Sequence, residues 1–532
     1  MFEKVTLNVI YRVGNRRRTV NLRDGGNADV GFAITKDSDR LKIELITDGT
    51  VTLDEAFLTT DYYYVPHYNV YCGALAEGFS METPVSIGGK RRLLRYINSA
   101  SPVKIRLNPL RSYGYTYIRD RENYTLVGSL DEEPSFTEIN HRPELKRMTF
   151  KRSFGGLLIP EEYRVFDLYF SQGSYDAVFD GYFERLLKDY RPGKILKEYS
   201  ATSSKLVPLD SKRLHEKLTY ARDFATPFDL FCIESYEKSV GEWLLTDPAR
   251  FTETLEDIAV FINNVGMQAG IKLSPFRVSP DSPLAEDHKR FLEKDDFGML
   301  VKRKGCYHYD IDNVEAQEYV KSMFSILKSW GYTVFKIDGI SDLISGKTPS
   351  RKAYKVMRFL RECVGEDATF IALDSPVLVA AGIADYCRIT GNTVRIWKGK
   401  LFSRFFNKKN SARNLVLNAV SRRHLDGRAF RNYPATMHFD ESNVHLKEEQ
   451  KLILFIVNKF FSGAVTVSDD LRLYTDSLKA MFASLSEGTD KEKIVRIVFP
   501  YKKHIRIEYL DDEGEKRMFC FDLRQGKILY TI

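Results

Sequence analysis

The chain has 532 residues, of which 43% are hydrophobic and 13% aromatic, and its formal net charge is +8. This length exceeds one ordinary hydrophobic core and predicts about three domains, and the apolar content excludes a mainly disordered chain. The basic excess is small for the length, and no nucleic-acid-binding signature accompanies it. We therefore expect no nucleic-acid partner.

The sequence also gives no support to a membrane or metal-binding protein. No stretch approaches the roughly 18 apolar residues of a transmembrane helix, and the first residues lack the apolar segment of a secretion signal. The six cysteines contain no CxxC pair, which argues against a zinc site and against a disulfide framework. We expect a cytoplasmic protein without a membrane partner.

The N-terminal third is typical of an antiparallel β-structure. Short alternating runs, for example residues 41–46 and 162–170, are separated by turns rich in Gly, Asp and Asn. This spacing predicts a β-sandwich over residues 1–190.

From residue 191 to 450, strand-like runs alternate with helical stretches. The eight strand candidates are residues 197–200, 228–234, 270–274, 307–311, 334–338, 369–374, 384–389 and 435–440. Eight β/α units predict a TIM barrel. Residues 451–532 are predicted to form a helical linker and a small C-terminal β-domain, so the fold class is a multidomain α/β protein with a central (β/α)8 barrel.

Charged residues stand at the ends of these otherwise apolar strands. They are Glu234, Lys272, Asp310, Lys336, Asp338, Asp374, Arg388 and Asp440. Burial of an unpaired charge costs several kcal/mol, so the set either lines a solvated cleft or forms structural ion pairs, and we favour the cleft. Lys336 and Asp338 share one face of their strand, which makes Asp338 a candidate nucleophile that Lys336 holds ionised.

The strand Phe335-Lys336-Ile337-Asp338 resembles the nucleophile strand of the family 36 glycoside hydrolases, chiefly α-galactosidases. Residues 235–243, 269–276 and 375–389 resemble further segments of that family in the same order. The resemblance implies retaining hydrolysis of an α-linked glycoside through a covalent glycosyl-enzyme on Asp338, without a metal or organic cofactor.

The same resemblance implies a carbohydrate partner and a set of contacts to it. The substrate contacts would be Glu234, Lys272, Lys336, Asp374 and Arg388, with Trp243 as an aromatic wall. Family members are often oligomeric, so a homo-oligomer is a further expectation. The tyrosines at 62–64 and 68–71 either stack on the sugar or pack within the sandwich.

The sequence departs from the family at the general acid. The family's acid/base loop reads Arg-Ile-Gly-Pro-Asp-Thr, whereas residues 388–393 here place Asn392 at the acid position, and an amide cannot deliver a proton. Three alternatives stay open: an engineered substitution, a hydrolase in which Asp374, Asp440 or Glu234 supplies the proton, or a catalytically impaired homologue with a carbohydrate-binding or regulatory role. An active glycosidase is the preferred hypothesis.

Overall fold

The computed structural model describes residues 4–76, 80–85, 110–187, 190, 192–202, 208–346, 348–391, 396–397, 411–437, 445–486, 493–498, 504–511 and 513–532. Over these residues the chain forms two N-terminal antiparallel sheets, one parallel eight-stranded sheet surrounded by helices, one two-stranded antiparallel sheet, and one C-terminal antiparallel sheet. Within the described ranges, no helix combines the length and apolar character needed to cross a lipid bilayer.

The N-terminal region is a β-sandwich, as predicted. Its strands are β1 (Val5–Val13), β2 (Arg16–Asn21), β3 (Val30–Lys36), β4 (Arg40–Thr47), β5 (Val51–Asp61), β6 (Asn69–Cys72), β7 (Met81–Pro84), β8 (Arg111–Tyr113), β9 (Tyr115–Asp120), β10 (Asn123–Ser129), β11 (Glu138–Arg142), β12 (Arg147–Leu158) and β13 (Glu162–Gly173). The sheets run β2-β1-β5-β12-β11-β8 and β3-β4-β13-β10-β9-β6-β7. Alternate residues such as Leu7, Val9 and Tyr11 are fully buried between them, because successive side chains of a strand point to opposite faces.

The strands of the central region follow in chain order. They are β14 (Leu196–Ala201), β15 (Leu230–Ile233), β16 (Gln268–Leu273), β17 (Arg277–Val278), β18 (Tyr307–His308), β19 (Tyr332–Ile337), β20 (Thr369–Ala372), β21 (Tyr386–Arg388), β22 (Arg431–Tyr433) and β23 (Ala464–Val467). All except β17 and β18 form one parallel sheet in the order β22-β21-β20-β19-β16-β15-β14-β23. The Gly463 N–H donates to the Asn432 carbonyl at 2.8 Å, which joins the two end strands and closes the barrel.

Helices connect the barrel strands and flank the sheets. They are α1 (Tyr175–Leu186), α2 (Ser211–Arg222), α3 (Leu255–Asn264), α4 (Leu284–Asp287), α5 (Val314–Ser329), α6 (Ile340–Leu343), α7 (Pro349–Val364), α8 (Val377–Ala380), α9 (Ala412–Ser421), α10 (Glu448–Phe461) and α11 (Asp476–Ser486). Side-chain caps fix several starts: the Thr254 hydroxyl accepts from the Asp257 N–H, and the Asp257 carboxylate accepts from the Thr254 N–H. This reciprocal pair is a capping box, which sets the first turn of α3.

One of the eight strand predictions was wrong, and the position of a second was displaced. The run at 307–311 yields only β18, which pairs antiparallel with β17 outside the parallel sheet. The run is short and contains polar residues, so it is poorly suited to the interior of a barrel. For the strand predicted at 435–440, the assigned strand is β22 at 431–433, and Met437 makes a further parallel bridge to Val467 of β23. Residues 438–440, including Asp440, lie outside the described residues. The eighth strand is β23, C-terminal to residue 450, in a four-residue apolar run that periodicity alone cannot distinguish from a helix.

The C-terminal region is the predicted small β-domain. Its strands are β24 (Lys493–Val498), β25 (His504–Leu510), β26 (Lys516–Asp522) and β27 (Lys527–Thr531), joined in one antiparallel sheet. The Trp397 indole N–H donates to the Leu523 carbonyl at 3.2 Å, which ties this sheet to the barrel.

The sandwich docks on the barrel through buried polar contacts. Glu82 accepts from Arg119 at 2.8 Å and from Arg423 of the barrel at 3.2 Å. The Tyr115 hydroxyl lies 2.7 Å from His424 Nε2 in the same interface. Tyr64, by contrast, is 3% exposed in the sandwich core, with its hydroxyl 2.8 Å from the Nδ1 atom of His141, so the packing alternative holds for this tyrosine.

Candidate active site

The barrel interior has an apolar floor. Its buried residues are Leu196, Leu230, Cys232, Val334, Ile371, Leu373, Tyr386, Tyr433 and Ala464. Above this floor, toward the carboxyl ends of the strands, the side chains become polar, and this is the end at which TIM-barrel enzymes carry their active sites. Six of the predicted site residues, Glu234, Lys272, Lys336, Asp338, Asp374 and Arg388, lie at this end of the strands.

Lys336 lies at the centre of the polar layer. Its Nζ donates to Glu198 Oε1 at 2.7 Å and to Glu234 Oε1 at 2.5 Å, and its side chain is only 3% exposed. The Tyr433 hydroxyl donates to the other oxygen of Glu198. Burial alone would lower the pKa of Lys336, but the two carboxylates outweigh it and raise the pKa well above its usual value. Lys336 is therefore a charged bridge between strands, and its contact with a sugar stays a prediction.

Glu234 is held ionised by its surroundings. Its Oε1 also accepts from the Ser200 hydroxyl at 2.8 Å, and its Oε2 accepts from Lys272 Nζ at 3.2 Å. Burial opposes ionisation, but Lys272 and Lys336 outweigh it and hold the pKa of Glu234 far below its usual range. A carboxylate in this state does not donate a proton near neutral pH.

A buried acidic group beside Lys336 has the side-chain types of a metal site. Glu198, Cys232 and Glu234 bring one potential ligand atom each within 4.8 Å of one another. The ammonium of Lys336 already binds both carboxylates, so a cation occupies the position that a metal would need. These residues give no support to a resident metal.

Asp338 lies at the carboxyl end of β19, and its Oδ1 accepts from the Gly339 N–H at 2.9 Å. Partial burial would raise its pKa, but the positive charges of Arg388, Lys272 and Arg277 outweigh it and lower the pKa of Asp338 below its usual value. An ionised, half-buried carboxylate at a barrel mouth has the charge state of a nucleophile.

Asp374, just after β20, is engaged with the chain segment that follows Asp338. One oxygen accepts from the Ile340 N–H at 2.8 Å, and the other accepts from the Ser341 N–H at 3.2 Å and the Ser341 hydroxyl at 2.6 Å. Burial and the negative charge of Asp338 raise the pKa of Asp374. Because both oxygens hold the start of α6, Asp374 orders the segment after the candidate nucleophile.

The other predicted residues have different placements. Arg388 is 8% exposed on β21, and its charge lowers the pKa of both Asp338 and Asp374. Trp243 is 5% exposed within the main hydrophobic core, and its indole N–H is buried without a hydrogen-bond partner among the described residues. Asn392 lies outside the described residues, so its identity is known from the sequence alone.

Sequence reasoning missed a second charged group, centred on Asp342 of α6. Arg277 Nε donates to Asp342 Oδ2 at 2.6 Å, Lys304 Nζ lies 2.6 Å from Asp342 Oδ1, and His308 Nε2 lies 3.4 Å from Asp342 Oδ2. Arg277 lies in a loop-like segment, and His308 was assigned to a barrel strand. Nothing in the local pattern indicates that the two residues face one carboxylate.

Sequence reasoning also missed Glu237, although it lies in the segment after β15 that resembles the family. Its Oε2 is buried and has no hydrogen-bond partner within the described part of the chain. Burial raises the pKa of Glu237, against the opposing charges of Arg250 and Lys272. A carboxyl whose pKa is raised keeps its proton to a higher pH than an ordinary glutamate does.

No protein-family model matches the chain. Solved structures do match it: the α-galactosidase TtGalA from Thermus thermophilus, in complex with p-nitrophenyl α-D-galactopyranoside, has a TM-score of 0.68 and 18% identity over 93% of this chain and 100% of that chain. The family 36 α-galactosidase AgaA from Geobacillus stearothermophilus has a TM-score of 0.61 and 12% identity over 97% of this chain and 81% of its own. The chain has the fold of the family 36 α-galactosidases.

The galactosidase domain of the α-galactosidase-sucrose kinase AgaSK has the same architecture, with a TM-score of 0.60 and 10% identity over 98% of this chain and 86% of that chain. The predicted fold class and the predicted resemblance to family 36 are thereby confirmed at the level of the fold. At these identities the likeness is one of architecture, so substrate and chemistry have to be argued from the side chains.

Proposed function

We propose that the chain is a retaining glycosidase that acts on an α-linked glycoside, with Asp338 as its nucleophile. The supporting observation is the position of Asp338 at the carboxyl end of a barrel strand, where Arg388, Lys272 and Arg277 lower its pKa. A carboxylate that is ionised before substrate arrives is suited to attack an anomeric carbon.

The proposed reaction has two steps. An Asp338 oxygen bonds to the anomeric carbon as the glycosidic C–O bond breaks, and the departing oxygen takes a proton. Water then adds to the anomeric carbon and gives up a proton, which releases the sugar and regenerates Asp338. The anomeric configuration is retained, because it inverts twice.

Asn392 cannot supply the proton to the leaving group, because its side chain is an amide. Glu234 is held ionised by two lysines, and both oxygens of Asp374 are engaged by α6. Glu237 combines a raised pKa with an oxygen that has no partner among the described residues. Glu237 is therefore our candidate for the general acid, while Asp440 stays an alternative outside the described residues.

Hydrolysis of a panel of activated aryl α-glycosides tests the proposal. These leaving groups need little protonation, so the wild type should release aryl alcohol even if its acid is weak, and Asp338→Ala should abolish the release. Asp312→Ala, which removes an exposed aspartate next to α5, is the control and should keep full activity. A folded wild-type protein that turns over no member of the panel would overturn the proposal.

A carbohydrate-binding protein without turnover is the second candidate. One observation favours it: the amide at Asn392, which cannot deliver a proton to a leaving group. Calorimetric titration with raffinose-type galactosides would show saturable binding under conditions where the aryl panel shows no hydrolysis. Strong cleavage of unactivated galactosides by Asn392→Asp would mark the scaffold as a disabled galactosidase.

A further inference from the structure

We infer that Arg277 is a positioning residue of the site. Its guanidinium is anchored on Asp342 and keeps a positive charge next to the end of β19, where Asp338 lies. The inference rests on the proposed function and deepens it. It assigns a role to a group that lies outside the barrel sheet.

The anchor is built from several close contacts. Arg277 binds Asp342 Oδ2 through both Nε at 2.6 Å and Nη2 at 2.5 Å. The antiparallel pairing of β17 with β18 sets Arg277 opposite His308, whose ring faces the same carboxylate. The Asp342 side chain is fully buried, so its ionised form depends on these cations.

The guanidinium lies directly against the backbone after Asp338. A Cβ atom added to Gly339 would lie 3.0 Å from Arg277 Nε and 3.2 Å from its Cζ, and Gly339 has a φ of +84°. A side chain at position 339 would therefore be strained and would also displace the arginine. This close approach brings the charge next to the Gly339 N–H, which binds Asp338 Oδ1.

The charge balance explains why this group acts on Asp338. Lys336 and Lys272 are offset by Glu198 and Glu234, so that inner cluster is neutral overall. Asp342, in contrast, is a single carboxylate that faces both Arg277 and Lys304, which leaves one net positive charge when His308 is neutral.

Asp338 is also faced by groups from other elements. Lys272 approaches from β16 and Arg388 from β21, and the negative Asp374 follows β20. Lys272 is shared with Glu234. Removal of Arg277 therefore leaves Asp338 beside Asp374 with less net positive charge, and Asp338 should then become protonated at a higher pH.

The test compares the pH profile of kcat/KM on an activated aryl α-glycoside for wild type, Arg277→Met, Arg277→Lys and Lys304→Met. Arg277→Met should move the acidic limb to higher pH, and Arg277→Lys should restore much of the wild-type profile because it keeps the charge. Lys304→Met should move the limb in the same direction by less. Lys304 is 63% exposed, so its loss should not prevent folding.

Arg431→Met is the matched control. Arg431 has the same 20% side-chain exposure as Arg277 and pairs with Asp426, but it begins β22 at the opposite end of the barrel. Its variant should lose stability without a change in the acidic limb. Coincident acidic limbs for wild type and Arg277→Met would overturn the inference.

A readout that needs no turnover separates this inference from the proposed function. The Asp338 carboxyl can be followed through pH by ¹³C NMR of aspartate-labelled protein, with its signal assigned by its absence in Asp338→Asn. If wild type hydrolyses nothing, the proposed function fails, yet a higher Asp338 titration midpoint in Arg277→Met still supports the inference. An unchanged midpoint in a folded variant refutes it.

Discussion

Lys336 of β19 and Glu234 at the end of β15 are joined by a 2.5 Å hydrogen bond between Nζ and Oε1, inside the barrel and almost out of contact with solvent. The bond ties together two residues that sequence reasoning had assigned separately to the sugar. It divides the charged residues of the mouth into an inner, self-neutralised cluster and an outer group around Asp338.

Replacing Lys336 by Met should destabilise the protein by about 3–5 kcal/mol, because Glu198 and Glu234 would be left as buried charges without their shared cation. The measurement is the free energy of unfolding in urea at neutral pH. Lys272→Met is the control, since Lys272 is 31% exposed and contacts only one of the two glutamates, and it should cost clearly less. Equal decreases in the free energy of unfolding for the two variants would argue against a special role of Lys336 as the bridge between Glu198 and Glu234.

Glu82→Gln should lower the free energy of unfolding by about 3–5 kcal/mol, because it leaves Arg119 and Arg423 buried without their anion at the interface between the sandwich and the barrel. Burial would raise the pKa of Glu82, but the two arginines lower it below the ordinary 4.5. The stabilisation is therefore present above pH 4.5 and is lost as the pH falls below it. The difference in the free energy of unfolding between wild type and Glu82→Gln, measured in urea, should decrease as the pH falls below 4.5. A difference that does not depend on pH would contradict an ion-pair origin.

Ser235→Gly should stabilise the protein by about 1 kcal/mol, because Ser235 has a φ of +58°, where glycine carries no steric penalty. Differential scanning calorimetry would show a higher Tm. Ser174→Gly serves as the control, since Ser174 has a φ of −66° and should gain nothing. If the more stable Ser235→Gly also turned over more slowly, the strain would be connected to the position of Glu234 or Glu237.

Glu237→Gln should slow hydrolysis of substrates with poor leaving groups by about 10²–10⁴-fold and leave activated aryl glycosides much less affected. The measurement is the slope of log kcat/KM against leaving-group pKa, which should become steeper in the variant. Glu242→Gln, a change within the same loop, should leave the slope unaltered. An unchanged slope in Glu237→Gln would remove this residue as the proton donor.

The sequence was sufficient to predict the architecture and the position of the strand that ends at Asp338. Alternation predicted the sandwich, β/α alternation predicted the barrel, and the strand ending at Asp338 lies where it was placed. Short strands could not be predicted reliably. The strands β18 and β23 have two and four residues, which are too few for a hydrophobic period to be recognised.

The partners of the charged residues could not be predicted. Lys336 meets Glu198 from a strand 138 positions earlier, and Arg277 meets Asp342 across 65 positions. Periodicity reports which face a residue occupies and carries no information on which distant charge shares that face. For the same reason Glu237, an ordinary glutamate in its local sequence, gave no signal of its buried oxygen.

The antiparallel pair β17–β18 has a consequence for how this protein could change over time. Arg277, Lys304 and His308 all lie in the segment between β16 and β19, so part of the positive charge beside Asp338 comes from residues outside the closed sheet, in addition to Lys272 of β16 and Arg388 of β21. Substitutions in the segment between β16 and β19 can change the working pH of the site while the barrel strands stay unchanged. Selection, or a protein engineer, can thus adjust the chemistry of the site separately from the scaffold.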